Sequence, residues 1–292
     1  MNRKVECVTG DSFPLGARSV RRIGFGAMQL AGPGVFGPPK DRDAALRVLR
    51  HAVEQGVNHI DTAQYYGPDV VNELIREALY PYPSDLALVS KVGAERDENG
   101  RWLPALAPEQ LRQGVLDNLS SLGVDRLDAV NLRLMDHGGA FDEQLDAMIA
   151  IRDEGLISGI GLSNVSRQQL VHAVQRTEIV CVQNPLNLID RDSMPLLREC
   201  EELGIAFVAF FPLGSAFGDV NRVLTHPDVV ATAQRLVVTP AQVALAWILH
   251  LAPNTLLIPG TSSPEHLREN LAVGRIRLDD VAMKVLDAIS LD

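Results

Sequence analysis

The most informative stretch of this chain is residues 59–67, which read HIDTAQYYG. A short apolar run ends there at the carboxylate of Asp61, and Tyr66 follows just before a glycine. The next apolar run, residues 86–91, ends at the amine of Lys91. Because functional side chains collect where parallel strands end, this pattern indicates a site built from two neighbouring strand ends.

An acid, a phenol and an amine can together make a proton donor. A phenol ordinarily has a pKa of about 10, so it donates a proton slowly at neutral pH. We expect the Lys91 ammonium to lower the pKa of Tyr66, and the Asp61 carboxylate to keep the ammonium charged and aimed. Such a trio protonates an alcohol or carbonyl oxygen. The alternative is a structural Asp61–Lys91 ion pair beside a tyrosine that only packs.

Apolar runs of strand length alternate with helix-like segments along the whole chain. The runs are mostly continuous in hydrophobicity, as expected of strands buried on both faces. They cover residues 23–28, 59–61, 86–91, 127–134, 157–162, 179–183, 205–211 and 255–258.

The segments between these runs carry helix boundaries. Asp41, Ser166 and Thr239 precede helix-like segments as capping side chains, and Pro108 stands where a first helical turn tolerates proline. Glycines that would close helices in a left-handed conformation follow at positions 56, 155 and 204. The last helical pattern covers residues 279–289.

Eight strand–helix units predict an α/β fold, a (β/α)8 TIM barrel that forms a single domain over residues 1–292. An open doubly wound sheet is the alternative, but it usually carries a glycine-rich turn after its first strand. Residues 24–26, GFG, are too sparse for that fingerprint. Residues 5–20 are β-prone and contain Gly10 and Gly16, which predicts a β-hairpin before the barrel.

The bulk composition argues against several classes of function. The chain is 46% hydrophobic and 22% charged, and its formal net charge of −10 argues against nucleic acid or an anionic membrane as partner. No apolar run is long enough to span a bilayer, and the first residues lack a signal-peptide pattern. Three scattered cysteines indicate reduced thiols and no metal site. We expect a cytoplasmic monomer or weak homo-oligomer that acts on a small molecule.

Six ordered motifs resemble those of the aldo-keto reductase family, and the resemblance covers nearly the whole chain. Residues 61–67 resemble the family's Asp-Thr-Ala-x-x-Tyr-Gly motif, and Lys91 matches its strand-end lysine. The other matches are residues 161–164, 183–185, 209–214 and 258–270. The resemblance implies NADPH-dependent reduction of a small aldehyde or ketone, with Tyr66 as general acid.

The resemblance also implies how the nicotinamide is held without a Rossmann fold. Ser163, Asn164 and Gln183 would hydrogen-bond the carboxamide, and Phe210 would stack on the ring where the family usually has a tyrosine. Ser163 and Asn164 have the alternative role of capping the next helix. The remaining residues implied for the cofactor are Met28, Pro212, Leu213, Gly214, Gly260, Thr261, Ser262, Ser263, His266, Arg268, Glu269 and Asn270.

One departure from the family pattern concerns its catalytic histidine. Arg133 stands in that slot, and Asn131 shares its strand face because side chains alternate along a strand. Either side chain could hydrogen-bond the substrate oxygen. An arginine is always charged and only donates, so it could not shuttle a proton at neutral pH. The structural alternative is an ion pair between Arg133 and Asp136.

A second departure is Gly260, where many members carry a lysine that contacts the adenosine 2′-phosphate. The helix that starts at Pro264 would offer free backbone N–H groups to an anion instead. We therefore expect NADPH to be preferred over NADH.

We expect aromatic and methionine side chains to line the substrate pocket. Such a pocket suits small aromatic aldehydes, and the variant around Arg133 resembles enzymes that act on a pyridoxal-type aldehyde. The rival function is a nucleotide-binding, redox-sensing regulatory barrel with little turnover, and the complete trio argues against it. The wall residues are Met28, Phe36, Tyr65, Trp102 and Met135.

Overall fold

The computed structural model describes residues 11–135, 140–214 and 221–289. Its strands fall largely within the predicted apolar runs. They are β1 (Ser12–Leu15), β2 (Arg18–Arg21), β3 (Phe25–Gly26), β4 (His59–Asp61), β5 (Ala87–Val92), β6 (Ala94–Arg96), β7 (Trp102–Pro104), β8 (Ala129–Arg133), β9 (Ile160–Ser163), β10 (Cys181–Pro185), β11 (Ala206–Phe210) and β12 (Thr255–Leu257).

Eight of these strands form a parallel barrel. The neighbours run β3, β4, β5, β8, β9, β10, β11 and β12, so consecutive barrel strands pair along the chain. The ends of this sheet then meet: Gly24 N donates to Leu257 O at 2.8 Å, and Leu257 N donates to Arg22 O at 2.8 Å. The predicted (β/α)8 architecture is confirmed.

Helices surround the barrel, and their starts follow the predicted capping residues. Asp41 accepts a hydrogen bond from Ala44 N, and Ser166 and Thr239 each form a capping box. The helices are α1 (Arg42–Glu54), α2 (Val70–Leu79), α3 (Pro108–Leu122), α4 (Phe141–Asp153), α5 (Arg167–Val174), α6 (Met194–Leu203), α7 (Asn221–Leu224), α8 (Pro227–Leu236), α9 (Pro240–Leu251), α10 (Pro264–Ala272) and α11 (Asp280–Asp287).

Among these described helices, none alone has the length and hydrophobicity to cross a membrane. Only α8 and α9 taken together are long and apolar enough, and the two are bent by 93° relative to each other. Cys181 and Cys200 are buried free thiols, as predicted, while Cys7 lies outside the described residues.

The β1–β2 hairpin closes the amino-terminal end of the barrel. Leu15 and Val20 are fully buried and pack with residues that begin barrel strands, such as Ala87, Ala129 and Ala206. The predicted hairpin is confirmed within residues 12–21, and the predicted part before residue 11 lies outside the described residues. Because this end is plugged, the carboxyl ends of the strands are left to form the site.

Two features were not predicted from the sequence. Strands β6 and β7 form a second hairpin after β5, in which Arg96 pairs with Trp102. The short α7 and the longer α8 precede α9. The second hairpin matters for function, because it brings Trp102 to the cavity at the barrel mouth.

Candidate active site

A buried ion pair lies at the carboxyl ends of β4 and β5. Lys91 Nζ donates to Asp61 Oδ1 at 2.5 Å and to the carbonyl oxygen of Thr62 at 2.9 Å. Gln183 Nε2, on β10, donates to Asp61 Oδ2 at 2.8 Å. Asp61 and Lys91 are only 2% and 3% exposed. Both oxygens of the carboxylate therefore have donors, and the ammonium is held in one position.

Tyr66 completes the predicted trio. Lys91 Nζ lies 5.1 Å from the centroid of the Tyr66 ring. The pKa of Tyr66 is raised above its ordinary value because burial disfavours the phenolate and the Asp61 carboxylate adds to this effect, while Arg133 opposes it. The expectation of a lowered pKa is wrong for this structure, because burial is the largest cause of the shift and raises the pKa. The phenol thus stays protonated at neutral pH, and a group that stabilises its phenolate is needed for it to act as an acid.

These side chains open into a cavity of about 580 Å3 at the barrel mouth. Its wall is largely apolar and aromatic with a few polar groups, which is the composition of a small-molecule site. The predicted residues that line it are Met28, Asp61, Tyr65, Tyr66, Lys91, Trp102, Arg133, Met135, Gln183, Phe210, Pro212, Leu213, Gly214 and Gly260.

Arg133 lies at the end of β8 and reaches this cavity. Its guanidinium carbon is 5.6 Å from the centroid of the Phe210 ring, a cation–π contact. Among the described residues no carboxylate forms an ion pair with Arg133, and Asp136, the structural alternative, lies outside them. The cavity therefore holds a guanidinium that can donate to an oxygen of a bound molecule.

Asn131 takes a different position, inside the barrel and not in the cavity wall. Its Nδ2 donates to Ser90 O at 3.4 Å, and its Oδ1 accepts from Cys181 Sγ at 3.3 Å. Asn131 is fully buried. Of the two residues considered for the histidine slot, the structure brings only Arg133 to the cavity.

Two buried polar atoms on strands β9 and β10 have no hydrogen-bond partner among the described residues. They are Ser163 Oγ, at the end of β9, and Gln183 Oε1, whose amide nitrogen is already used by Asp61. A buried polar group without a partner costs free energy, so such atoms usually meet a ligand or water.

A comparison with family models gives the same family as the six sequence motifs. The Aldo/keto reductase family model matches residues 22–291. This chain belongs to the aldo/keto reductase family. Members of the family are oxidoreductases that bind NADP(H) and act on small carbonyl compounds, so the chain is an enzyme of that class.

Similar proteins span nearly the whole chain. Pyridoxine 4-dehydrogenase of Escherichia coli (strain K12) is 50% identical over 289 residues, which are 97% of this chain and 99% of that protein. A thermostable aldo-keto reductase solved with the inhibitor epalrestat is 30% identical, with a TM-score of 0.80 over 95% of this chain and 98% of its own. An aldo/keto reductase from Klebsiella pneumoniae, solved with NADP and acetate, is 25% identical, with a TM-score of 0.79 over 95% and 94%.

The unpaired atoms of this aldo/keto reductase suit a nicotinamide carboxamide. Ser163 Oγ can donate or accept, and Gln183 Oε1 can accept from the amide nitrogen of the ring substituent. Asn164 adopts a left-handed φ of 59° and uses its Nδ2 on Leu134 O at 2.7 Å, which leaves Oδ1 as an acceptor. The alternative in which Ser163 and Asn164 cap the next helix is wrong, because Ser166 caps α5.

Phe210 and the residues after it line the cavity beside these groups. The Phe210 ring meets the Phe211 ring edge-on at 4.9 Å, which holds its face in place. Pro212, Leu213 and Gly214 continue along the cavity wall. Residues 215–220 lie outside the described residues.

Gly260 is explained by a close approach between the first and last barrel strands. A Cβ at position 260 would lie 2.4 Å from Gly26 O, and one at position 26 would lie 2.3 Å from Ile258 O. No side chain fits there without a backbone shift. This crowding favours glycine at positions 26 and 260 in this chain.

The segment after Gly260 turns into α10. Ser263 caps this helix by accepting from His266 N at 3.3 Å, and its own N donates to Thr261 Oγ1 at 3.0 Å. Ser262 lines a second cavity of about 380 Å3 that shares Met28 with the first and so continues away from the mouth. Glu269 O accepts from Gln242 Nε2, and Asn270 is buried.

Two predicted site residues lie elsewhere. Arg268 pairs with Glu265 at 3.3 Å and lines a separate cavity with Arg21 and Arg275. Phe36 does not line the central cavity: its ring lies 5.3 Å from the guanidinium carbon of Arg96. Arg96 also stacks at 4.1 Å on Trp102, so Phe36 supports the second hairpin from behind instead of contacting a substrate.

Other cavity residues were missed by reasoning from sequence. They lie at or shortly after the ends of the first barrel strand and the last two, so the strand-end rule applied to every strand would have found them. Gln29 stands in the one turn of helix after β3, and Phe211 follows β11. The missed residues are Gly26, Gln29, Phe211, Ile258 and Pro259.

Proposed function

We propose that this chain, acting as one barrel domain, reduces small aromatic aldehydes of the pyridoxal type to their alcohols with NADPH. The observation that supports it is the buried Asp61–Lys91 pair beside Tyr66, which opens into an apolar cavity. The unpaired oxygens of Ser163 on β9 and Gln183 on β10 suit a nicotinamide. The name of the Escherichia coli relative supports the substrate class.

A nicotinamide held by Ser163, Asn164 and Gln183 would supply the hydride that the carbonyl carbon needs. Tyr66 donates its phenolic proton to the carbonyl oxygen and regains one from solvent, so the alcohol leaves with both hydrogens. Lys91 offsets the negative charge left on the phenolate, and Asp61 keeps Lys91 in place. Arg133 donates a hydrogen bond to the same oxygen as negative charge develops on it. The apolar wall excludes water and strengthens both interactions.

Replacing Arg133 by alanine is expected to lower kcat and kcat/KM together. Arg133 would contact the oxygen most strongly in the transition state, and loss of such a contact changes both constants. The expected loss is about 10–100-fold, because the side chain is partly exposed and its charge is screened. Steady-state kinetics with pyridoxal at saturating NADPH measure it.

The matched control for this experiment is Arg101→Ala. Arg101 is an exposed arginine that directly precedes Trp102, pairs with Asp97 at 2.6 Å and does not line the cavity. We expect no change in either constant. If Arg133→Ala lowered the melting temperature and left both constants at the wild-type values, Arg133 would be structural and its assigned role would be wrong.

NADPH is expected to bind at least about tenfold more tightly than NADH. The positive N-terminal end of α10, with Ser262, Ser263 and the exposed His266, would receive the 2′-phosphate that NADH lacks. Fluorescence titration of both reduced cofactors measures the ratio. His266→Ala should weaken NADPH binding and leave NADH binding unchanged.

Arg275→Ala is the control for the cofactor titration. Arg275 is an exposed cation on the neighbouring segment, but it lines the separate cavity. Equal affinity of the wild-type protein for the two cofactors would show that no phosphate pocket exists here. It would leave the proposed aldehyde reduction standing.

A further inference from the structure

Tyr65, the residue before the proposed acid, is fixed at the substrate side of the cavity. Its ring meets the Tyr66 ring edge-on at 5.5 Å and the Trp102 ring at 5.5 Å. The residue is 2% exposed and contributes to the cavity wall. A tyrosine held between two aromatic rings cannot turn its hydroxyl elsewhere at low cost.

The hydroxyl of Tyr65 is buried and has no hydrogen-bond partner among the described residues. Tyr82 shows the usual arrangement, since its hydroxyl donates to Leu122 O at 2.7 Å. Burial of an unpaired hydroxyl is costly, and such groups persist where a ligand pairs them. Burial also raises the pKa of the Tyr65 phenol, so it remains a donor throughout the physiological range.

The groups around the Tyr65 hydroxyl limit the acceptors with which it can form a hydrogen bond. Arg133 and Tyr66 line the same cavity as Tyr65. Met28 and Met135 also line it and offer no strong acceptor. Because the Tyr65 and Tyr66 rings meet edge-on, a molecule whose carbonyl oxygen meets Tyr66 lies beside Tyr65.

We propose that the Tyr65 hydroxyl donates a hydrogen bond to an acceptor on the substrate's aromatic ring, which makes the cavity selective for heteroaromatic aldehydes over their carbocyclic analogues. This inference rests on the proposed aldehyde reduction. A site built to pair a buried donor discriminates against an analogue that leaves the donor unpaired.

The three pyridine carbaldehydes and benzaldehyde test this selectivity, because they share one shape and differ in where the ring carries a nitrogen acceptor. The measured quantity is kcat/KM for each pyridine aldehyde divided by that for benzaldehyde, in the wild-type protein and in Tyr65→Phe. We expect the substitution to lower this ratio about tenfold for one ring position and about twofold or less for the other two. When the same ratio is compared between the wild-type protein and Tyr65→Phe, the differences in intrinsic reactivity among the four aldehydes cancel.

Tyr82→Phe is the matched control, since it removes a hydroxyl that has a partner and lies outside the cavity. It should lower the melting temperature and leave every ratio unchanged. Tyr65→Phe should not lower the melting temperature, because the hydroxyl it removes pairs with nothing in the folded chain.

Two outcomes overturn the role of Tyr65. One is a set of ratios that Tyr65→Phe leaves unchanged, which would mean that the hydroxyl pairs only with water. The other is an equal change at all three ring positions, which would mean a general effect on the pocket. Failure of the wild-type protein to reduce any of the four aldehydes is a separate result and would overturn the proposed function itself.

Discussion

Tyr66→Phe is expected to lower kcat for aldehyde reduction by about 10²–10⁴-fold while NADPH still binds. The substitution removes only the phenolic oxygen of the cavity tyrosine whose ring lies 5.1 Å from Lys91 Nζ. Arg133 can stabilise the developing charge but cannot give up a proton at neutral pH. Stopped-flow measurement of NADPH consumption at saturating cofactor follows the loss.

Tyr80→Phe serves as the control for Tyr66→Phe. Tyr80 is 60% exposed and lies outside the cavity wall, so its hydroxyl should not matter for turnover. A Tyr66→Phe protein that turned over at a rate comparable to wild type would show that the proton comes from another group.

Lys91→Met is expected to cause the largest combined loss, in both activity and stability. It leaves the Asp61 carboxylate buried without its cation, and breaking a buried pair in this way typically costs about 3–5 kcal/mol of unfolding free energy. The phenolate formed in the reaction also loses the nearby positive charge. Urea unfolding and steady-state kinetics measure the two effects separately.

The double variant Asp61→Asn with Lys91→Met separates the loss of stability, caused by the unpaired carboxylate, from the loss of activity, caused by the missing ammonium. An amide at position 61 can keep its hydrogen bond with Gln183 and carries no charge, so the double variant should be more stable than Lys91→Met alone. Its activity should stay low, because the ammonium is still missing. A double variant as unstable as Lys91→Met would show that the lost ion pair is not the cause of the instability.

The strand-end rule predicted much of the site because it needs only the position of each strand. Asp61 and Lys91 lie at the ends of the neighbouring strands β4 and β5, and parallel register brings them to one mouth. The family resemblance added Arg133 and Gln183, which lie on β8 and β10 of the same barrel. The confirmed barrel was predicted from the alternation of apolar runs with helix-like segments. These features depend on local sequence and on a regular repeat.

Features that depend on tertiary packing could not be predicted in the same way. The pKa of Tyr66 rises because burial outweighs the nearby cations, and the extent of burial is not visible in the sequence. Phe36 contacts Arg96 because a hairpin of two three-residue strands, too short to recognise, draws it away from the cavity. Arg268 lines a separate cavity with Arg21 and Arg275, a placement set by how α10 packs on the rest of the chain.

The most direct measurement of the central claim uses NADPH carrying deuterium at one or the other of its two C4 positions. Because Ser163, Asn164 and Gln183 would hold one face of the nicotinamide toward the substrate, we expect deuterium in the pyridoxine formed from pyridoxal with one labelled cofactor and none with the other. Transfer from neither cofactor, or equal transfer from both, would contradict hydride transfer in this cavity.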